Sequence, residues 1–301
     1  MRISRYTVLD PLVHIQRCRD DENNPRDPSR NERVGKGRTL ADSVPAPVDV
    51  LRLGFVTDPV GPHASRTMLI ADVRLLLAAC SPDATMADYR AAVVDENVLM
   101  KATTANRRET FQRLCQFYAL DRSVPLFRSL RALWDADEAS QPLLALLCVA
   151  ARDPVFRATS DLVLLAPLGQ VVTPLMAEGV VAEAFPDRYG AKTLKSIGQH
   201  IVGTWTQGGH LLGKQVKRRA KAHPTPAATA YSLLLGFLCG ARGLGLFETL
   251  WAQLLDATAG ELDGLAFAAS QRGWLAYRRV GNVVQIEFPA FADAKTEAVR
   301  G

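Results

Sequence analysis

From Arg188 through Phe247 the sequence has no aspartate and no glutamate. The chain of 301 residues carries 31 acidic residues, about one in ten, so sixty consecutive residues without one form a strong local depletion. The same window holds nine bases: Arg188, Lys192, Lys195, Lys214, Lys217, Arg218, Arg219, Lys221 and Arg242. Five of them, Lys214, Lys217, Arg218, Arg219 and Lys221, fall within eight residues. A net charge of +5 over the whole chain says little about partners. A positive stretch without carboxylates says more. It suits a polyphosphate, whose condensed counterions are released on binding.

Cysteine is scarce and scattered. Cys18, Cys80, Cys115, Cys148 and Cys239 contain no C-x-x-C pair, which argues against a zinc ribbon, and their odd number argues against a disulfide framework. Cys80, Cys148 and Cys239 lie in apolar runs and read as small buried hydrophobes in a reducing cytoplasm. The opening MRISRYTVLDPLVHIQRCRDD lacks the apolar core of a signal peptide. The longest apolar run, Ala227 to Ala241, is shorter than the roughly 20 residues of a spanning helix. It carries Gly236 and Gly240 and reads as a buried helix. The expected location is therefore cytoplasmic.

Catalytic signatures are missing as well. There is no G-x-x-x-x-G-K-[ST] phosphate loop. GARGLGLF follows a helical pattern, not the strand a dinucleotide turn needs. The histidines His14, His63, His200, His210 and His223 include no H-x-x-x-H with a third ligand nearby, so no metal is expected. Acidic clusters such as Asp95-Glu96, Asp135-Ala-Asp137-Glu138 and Arg152-Asp153 read as helix caps or solvated turns. No cofactor and no enzymatic activity are expected.

What is present is helical periodicity. Residues 1–50 read as an irregular, flexible segment: DDENNPRDPSRNERVGKGR is too polar to offset its ordering entropy. The islands VLDPLVHI and VLRLGFV are candidates to dock as extended segments. Residues 51–160 read as a helical bundle. TMLIADVRLLLAAC places Met68, Leu69, Val73, Leu76 and Leu77 on one face. Thr85 and Asp88 signal a cap for MADYRAAVVDENVLM. ANRRETFQRLCQFY, PLFRSLRALW and the nearly all-apolar QPLLALLCVAA complete the set, the last as the central helix. LVLLAPLGQVV, within 153–173, reads as a hinge or crossover. Trp134, Trp205, Trp251 and Trp274 sit at apolar positions, with Trp274 the one expected to be partly exposed.

Residues 161–224 form a second pattern. PLMAEGVVAEAF is a short helix and FPDRYGA a turn. KTLKSIGQHIVGTWTQ is a helix with Leu194, Ile197, Ile201 and Trp205 facing inward. Lys192, Lys195 and Gln199 share the opposite face, as a helix entering a major groove requires. His200 lies beside that face and reads as an ordinary surface histidine. The basic stretch after the Gly208-Gly209 pair reads as a hairpin wing over the phosphates, with His210, Lys214, Lys217, Arg218, Arg219 and Lys221 as contacts. With no arginine on that helix, sequence preference is expected to be weak. Residues 225–290 show a similar order: TAYSLLLGFLCGA, LFETLWAQLLD and ELDGLAFAASQRG read as three helices, followed by a hairpin turning at Gly281-Asn282. Its bases Arg272, Arg278 and Arg279 are candidates for a second wing. Residues 291–301 are a tail. The fold class is thus mainly α, a helical bundle plus winged helix-turn-helix-like units with short β-hairpins.

The segments VDENVLMKATTANRRETFQRL, PLLALLCVAARDPVFR, KTLKSIGQHIVGTWTQGGHLLGKQVKRR and AYSLLLGFLCGARGLGLFETLWAQLLD resemble the BrxA-like family of BREX phage-defence systems, over roughly residues 65 to 290. The resemblance implies a mostly helical, non-enzymatic DNA-binding component that works beside other defence-system proteins. It places the family's winged-helix-like segment on Lys192 to Trp205 and Lys214 to Lys221. Double-stranded DNA is the expected partner. Two other readings of the same charge are a scaffold docking an acidic protein and an RNA-binding helical protein.

Overall fold

The computed structural model describes residues 51–59 and 61–291. The readings of residues 1–50 and of the tail from 292 onward lie outside these. The described residues belong to one unit, residues 38–301.

The described part of the island VLRLGFV, residues 51–56, docks on the core. Leu53 and Phe55 are buried. The Val56 N–H donates to the Ala151 carbonyl at 3.1 Å, and the Phe55 ring lies 5.6 Å from Trp251. A single tight turn over Pro62–Ala64 leads to α1 (Ile70–Ala79), which buries Val73, Leu76 and Leu77. α2 (Met86–Arg90) opens with the expected capping box between Thr85 and Asp88. The helix expected through MADYRAAVVDENVLM ends sooner. It widens to a π turn over Ala91–Asp95. Asn97 then takes a left-handed φ of 58°, and its Oδ1 accepts the Lys101 N–H at 2.8 Å. That local bond competes with continued helix.

α3 (Thr104–Tyr118) is capped by the Thr103 side chain, and α4 (Pro125–Trp134) opens on its proline. α5 (Gln141–Arg152) is the axis of the core: every residue from Leu143 to Ala151 is buried. The stretch expected as a hinge contains two short helices, α6 (Pro154–Arg157) and α7 (Ser160–Leu164), then a turn through Pro167 and Gln170.

α8 (Pro174–Ala184) and α9 (Ala191–Gln207) follow. β1 (Leu211–Leu212) and β2 (Arg218–Arg219) form an antiparallel hairpin, with Leu211 opposite Arg219 and Leu212 opposite Arg218. Val171, just before α8, bridges Arg218 on the other side of β2.

α10 (Pro226–Leu238) is the long apolar run, buried from Ala227 to Gly236 against α4 and α5. No helix among the described residues is long and apolar enough to cross a membrane. The single helix expected over LFETLWAQLLD is divided. Gly243–Glu248 is a 3₁₀ segment and α11 covers only Leu250–Gln253. Thr249 is extended between them, and its hydroxyl caps the Ala252 N–H, so the helix restarts there. α12 (Ala259–Gln271) begins with a capping box from Thr258 to Glu261. β3 (Ala276–Val280) and β4 (Val283–Glu287) pair around Gly281-Asn282, with Gly281 at φ 57°. Trp134, Trp205 and Trp251 are fully buried, and Trp274 is half-buried.

Candidate nucleic-acid interface

α9 has two unlike sides. Ile197, Ile201 and Trp205 are buried, and Lys192, Lys195 and Gln199 are exposed. The inward side is tied down by polar bonds as well as packing. Trp205 Nε1–H donates to Thr159 Oγ1 at 3.0 Å, and its ring lies 4.7 Å from Phe156. Thr204 Oγ1 accepts the Met68 N–H at 3.0 Å and meets His63 Nε2 at 2.8 Å. His63 Nδ1 in turn meets Asp153 Oδ2 at 2.5 Å, and Asp153 Oδ1 caps the Val155 and Phe156 N–H groups.

Thr204, His63 and Asp153 thus stand in the order of a hydroxyl–imidazole–carboxylate relay. All three are 0% exposed, and the Thr204 oxygen is already occupied by the Met68 amide. The hydroxyl has no room for a substrate. The three residues act as a strut between the chain before α1, the α5–α6 junction and α9. In sequence Asp153 reads as a helix cap or a solvated acid; the structure has it as a cap, with this second role beside it. No signal in the sequence joins residues 63, 153 and 204.

A second device brings α8 onto α9. A Cβ at Gly198 would lie 2.4 Å from the Pro174 carbonyl oxygen, so only glycine permits this approach. The β1–β2 hairpin is tied to the segment that leads into α8. Gly169 N–H donates to the Arg219 carbonyl at 2.8 Å, Arg219 N–H to the Gln170 carbonyl at 2.8 Å, and Val172 N–H to the Lys217 carbonyl at 3.0 Å. The hairpin loop turns at Gly213, which has a φ of +113°. A Cβ there would fall 2.0 Å from the Val216 carbonyl oxygen. Lys217 Nζ closes the loop by donating to the Gly213 carbonyl at 2.5 Å. Between α9 and the β1–β2 hairpin runs a cleft of about 280 Å³. Val171, Val202 and Val216 are among its apolar lining, with Gln199, Gln215 and Lys217 among its polar groups.

The structure corrects part of the expected contact set. His210 is fully buried: its Nε2–H donates to the Leu254 carbonyl at 3.0 Å, and its ring stands edge-on to Trp205 at 5.0 Å. Burial pushes its imidazole down to about 4 despite the nearby Asp256 carboxylate. Arg219 is 4% exposed and makes a bidentate pair with Asp256 at 2.7 and 2.8 Å. The pairing of β2 explains this: Leu211 and Arg219 are opposite each other and both point inward. Lys221 is exposed but held by Glu261 at 2.7 and 3.0 Å. His200, read as a surface residue, is half-buried, with Nδ1 on the His63 carbonyl at 2.8 Å.

The window without acids in sequence is therefore not without acids in space. Asp58, Asp256 and Glu261 reach Arg188, Arg219 and Lys221 from outside it. Arg242 lies over the Phe237 ring and donates to the Phe237 and Ala241 carbonyls. Lys192, Lys195, Lys214, Lys217 and Arg218 meet no carboxylate among the described residues. Arg218 is exposed and donates to the Gly169 carbonyl at 3.1 Å. In the second hairpin Arg279 is bound to Asp263 at 2.5 Å, Arg272 lies 5.6 Å from the Trp274 ring, and Arg278 is exposed.

A scan against protein-family models gives no match, and no curated protein matches the chain. Among the described residues no three His, Cys, Asp or Glu side chains gather as metal ligands would.

Proposed function

We propose that this protein binds duplex DNA through the exposed face of α9 and the β1–β2 wing. In this reading it is a non-enzymatic component of a bacterial phage-defence system of the BREX type. The observation that carries the binding is one of charge in space. Lys192 and Lys195 on α9 and Lys214, Lys217 and Arg218 on the adjoining hairpin meet no carboxylate among the described residues. The defence assignment rests on the resemblance alone. Chain order supports a winged helix-turn-helix: Val171 as the first strand, α8, α9 as the groove helix, then β1, the wing and β2.

Phosphate contact by these five bases gives binding without strong sequence preference. Fluorescence anisotropy of a labelled duplex across a salt series tests it. With five phosphates neutralised, log K falls against log salt with a slope of about −4 to −5. The double variant Lys217→Glu/Arg218→Glu stays folded and loses most of the affinity. Arg219 is left intact, because its loss would unpair Asp256. No wild-type binding at low salt overturns the reading.

A second reading has one observation in its favour. Leu168, Leu175 and Leu212 are exposed in the same segment as the bases. An acidic protein with an apolar patch would use both. Co-purification with such a partner, together with no duplex binding, selects that reading.

A further inference from the structure

The cleft between α9 and the wing has a composition unlike an ordinary phosphate site. Val202 and Gly203 follow Gln199 along α9 at three- and four-residue spacing and form the cleft floor, Val202 buried and Gly203 half-buried. Val171 comes from the bridge to β2 and Val216 from the wing loop. Valines therefore line three sides. Lys217 supplies the positive group, and the exposed Gln199 and Gln215 supply the amides. Val216 is 53% exposed, on a loop that also carries Lys214 and Lys217. A cation beside an apolar wall matches one repeating unit: a phosphate joined to a sugar face made of C–H groups.

We propose that this cleft receives the deoxyribose of a bound strand, with Lys217 on the adjoining phosphate, and that it makes the protein prefer DNA to RNA. The proposal rests on the DNA-binding reading above. Deoxyribose presents only C–H at its 2′ position. Ribose presents a hydroxyl that both donates and accepts. Set against the side chains of Val171, Val202 and Val216, away from the Thr173, Gln199, Gln215 and Lys217 groups that also line the cleft, that hydroxyl loses water without a partner, and a buried unpaired hydroxyl is costly. Phosphate attraction by Lys192, Lys195, Lys214 and Arg218 does not tell the two polymers apart. The valine walls do.

The test is an anisotropy competition at low salt between two duplexes of one sequence. One is all DNA. The other carries a ribonucleotide at every third position of both strands, so sliding cannot avoid the hydroxyls. The wild type binds the second about tenfold more weakly. Val216→Thr adds a hydroxyl to the cleft wall at a half-exposed position, leaves DNA affinity within about twofold and closes most of that gap. Lys217→Ala lowers both affinities and keeps their ratio. Equal wild-type affinity for the two duplexes overturns the proposal, and so does a gap that Val216→Thr leaves unchanged. Binding to neither duplex removes the DNA-binding reading as well, so the two failures are distinct.

Discussion

His210 and Arg219 show how one side chain changes meaning with its surroundings. Both lie in the basic stretch, and both are structural. His210 is held neutral by burial, at about 4 against an ordinary value near 6.5. The sign of its pH effect follows. Above about 6.5 neither the folded nor the unfolded state carries the proton, and the group costs nothing. Below that, the unfolded chain takes up a proton that the folded chain refuses. Stability therefore falls as pH drops from about 6.5 to 4, by of order 3 kcal/mol. His210→Gln, which keeps an N–H for the Leu254 carbonyl, flattens that part of a thermal-denaturation pH profile. A slope that persists unchanged in the variant rules His210 out as its source. The strut makes a second prediction at this scale. His63→Ala leaves Asp153 buried without its imidazole and destabilises the fold by about 3 kcal/mol or more, read by urea denaturation.

Among the elements, the helices were legible because their causes are local. Thr85–Asp88 capping, the proline opening α4 and the buried run of α5 all follow from residues a few positions apart. The breaks were not legible at Asn97 and Thr249, where a side chain bonds the backbone of its own segment. The glycines of the interface lead to a prediction with two separable outcomes. Gly198→Ala drives a methyl into the Pro174 carbonyl and lowers stability by about 1 to 3 kcal/mol, as overpacking does. Gly213→Ala strains the wing loop alone. If the hairpin contacts DNA as proposed, the substitution weakens duplex binding severalfold with only a small loss of melting temperature. Equal stability losses in the two variants would contradict the picture of the wing as a separate, solvent-facing loop.

Across the whole molecule, charge was the part least legible in sequence. A list of residues shows that Arg188 to Phe247 lacks acids, but Asp256 and Glu261 return to that surface only through the fold of α11 and α12. The face of α9 was readable, since its spacing is local. The cleft was not, because it joins residue 171 to residues 202 and 216. The two ends of the chain's helix–hairpin order also differ. α12 exposes Gly260, Gly264, Phe267 and Gln271, and Arg279 is taken by Asp263. Arg278→Glu is therefore expected to change duplex affinity less than about threefold, against a near-complete loss for Lys217→Glu/Arg218→Glu. Equal losses in the same anisotropy assay would make the second hairpin a contact of equal weight.

The strut sets how α9 is able to move. Its C-terminal half is fixed at Thr204 and Trp205, by bonds to the segment before α1 and to Thr159. Lys192 and Lys195, two to three turns away, stand in solvent on a stretch held mainly by α8. The helix is anchored most firmly near Thr204. Any displacement of Lys192 therefore carries α8 with it, through the close approach at Gly198, and leaves the region of Thr204 in place. Amide exchange along α9 should accordingly be slowest around Thr204 and quicken toward Lys192.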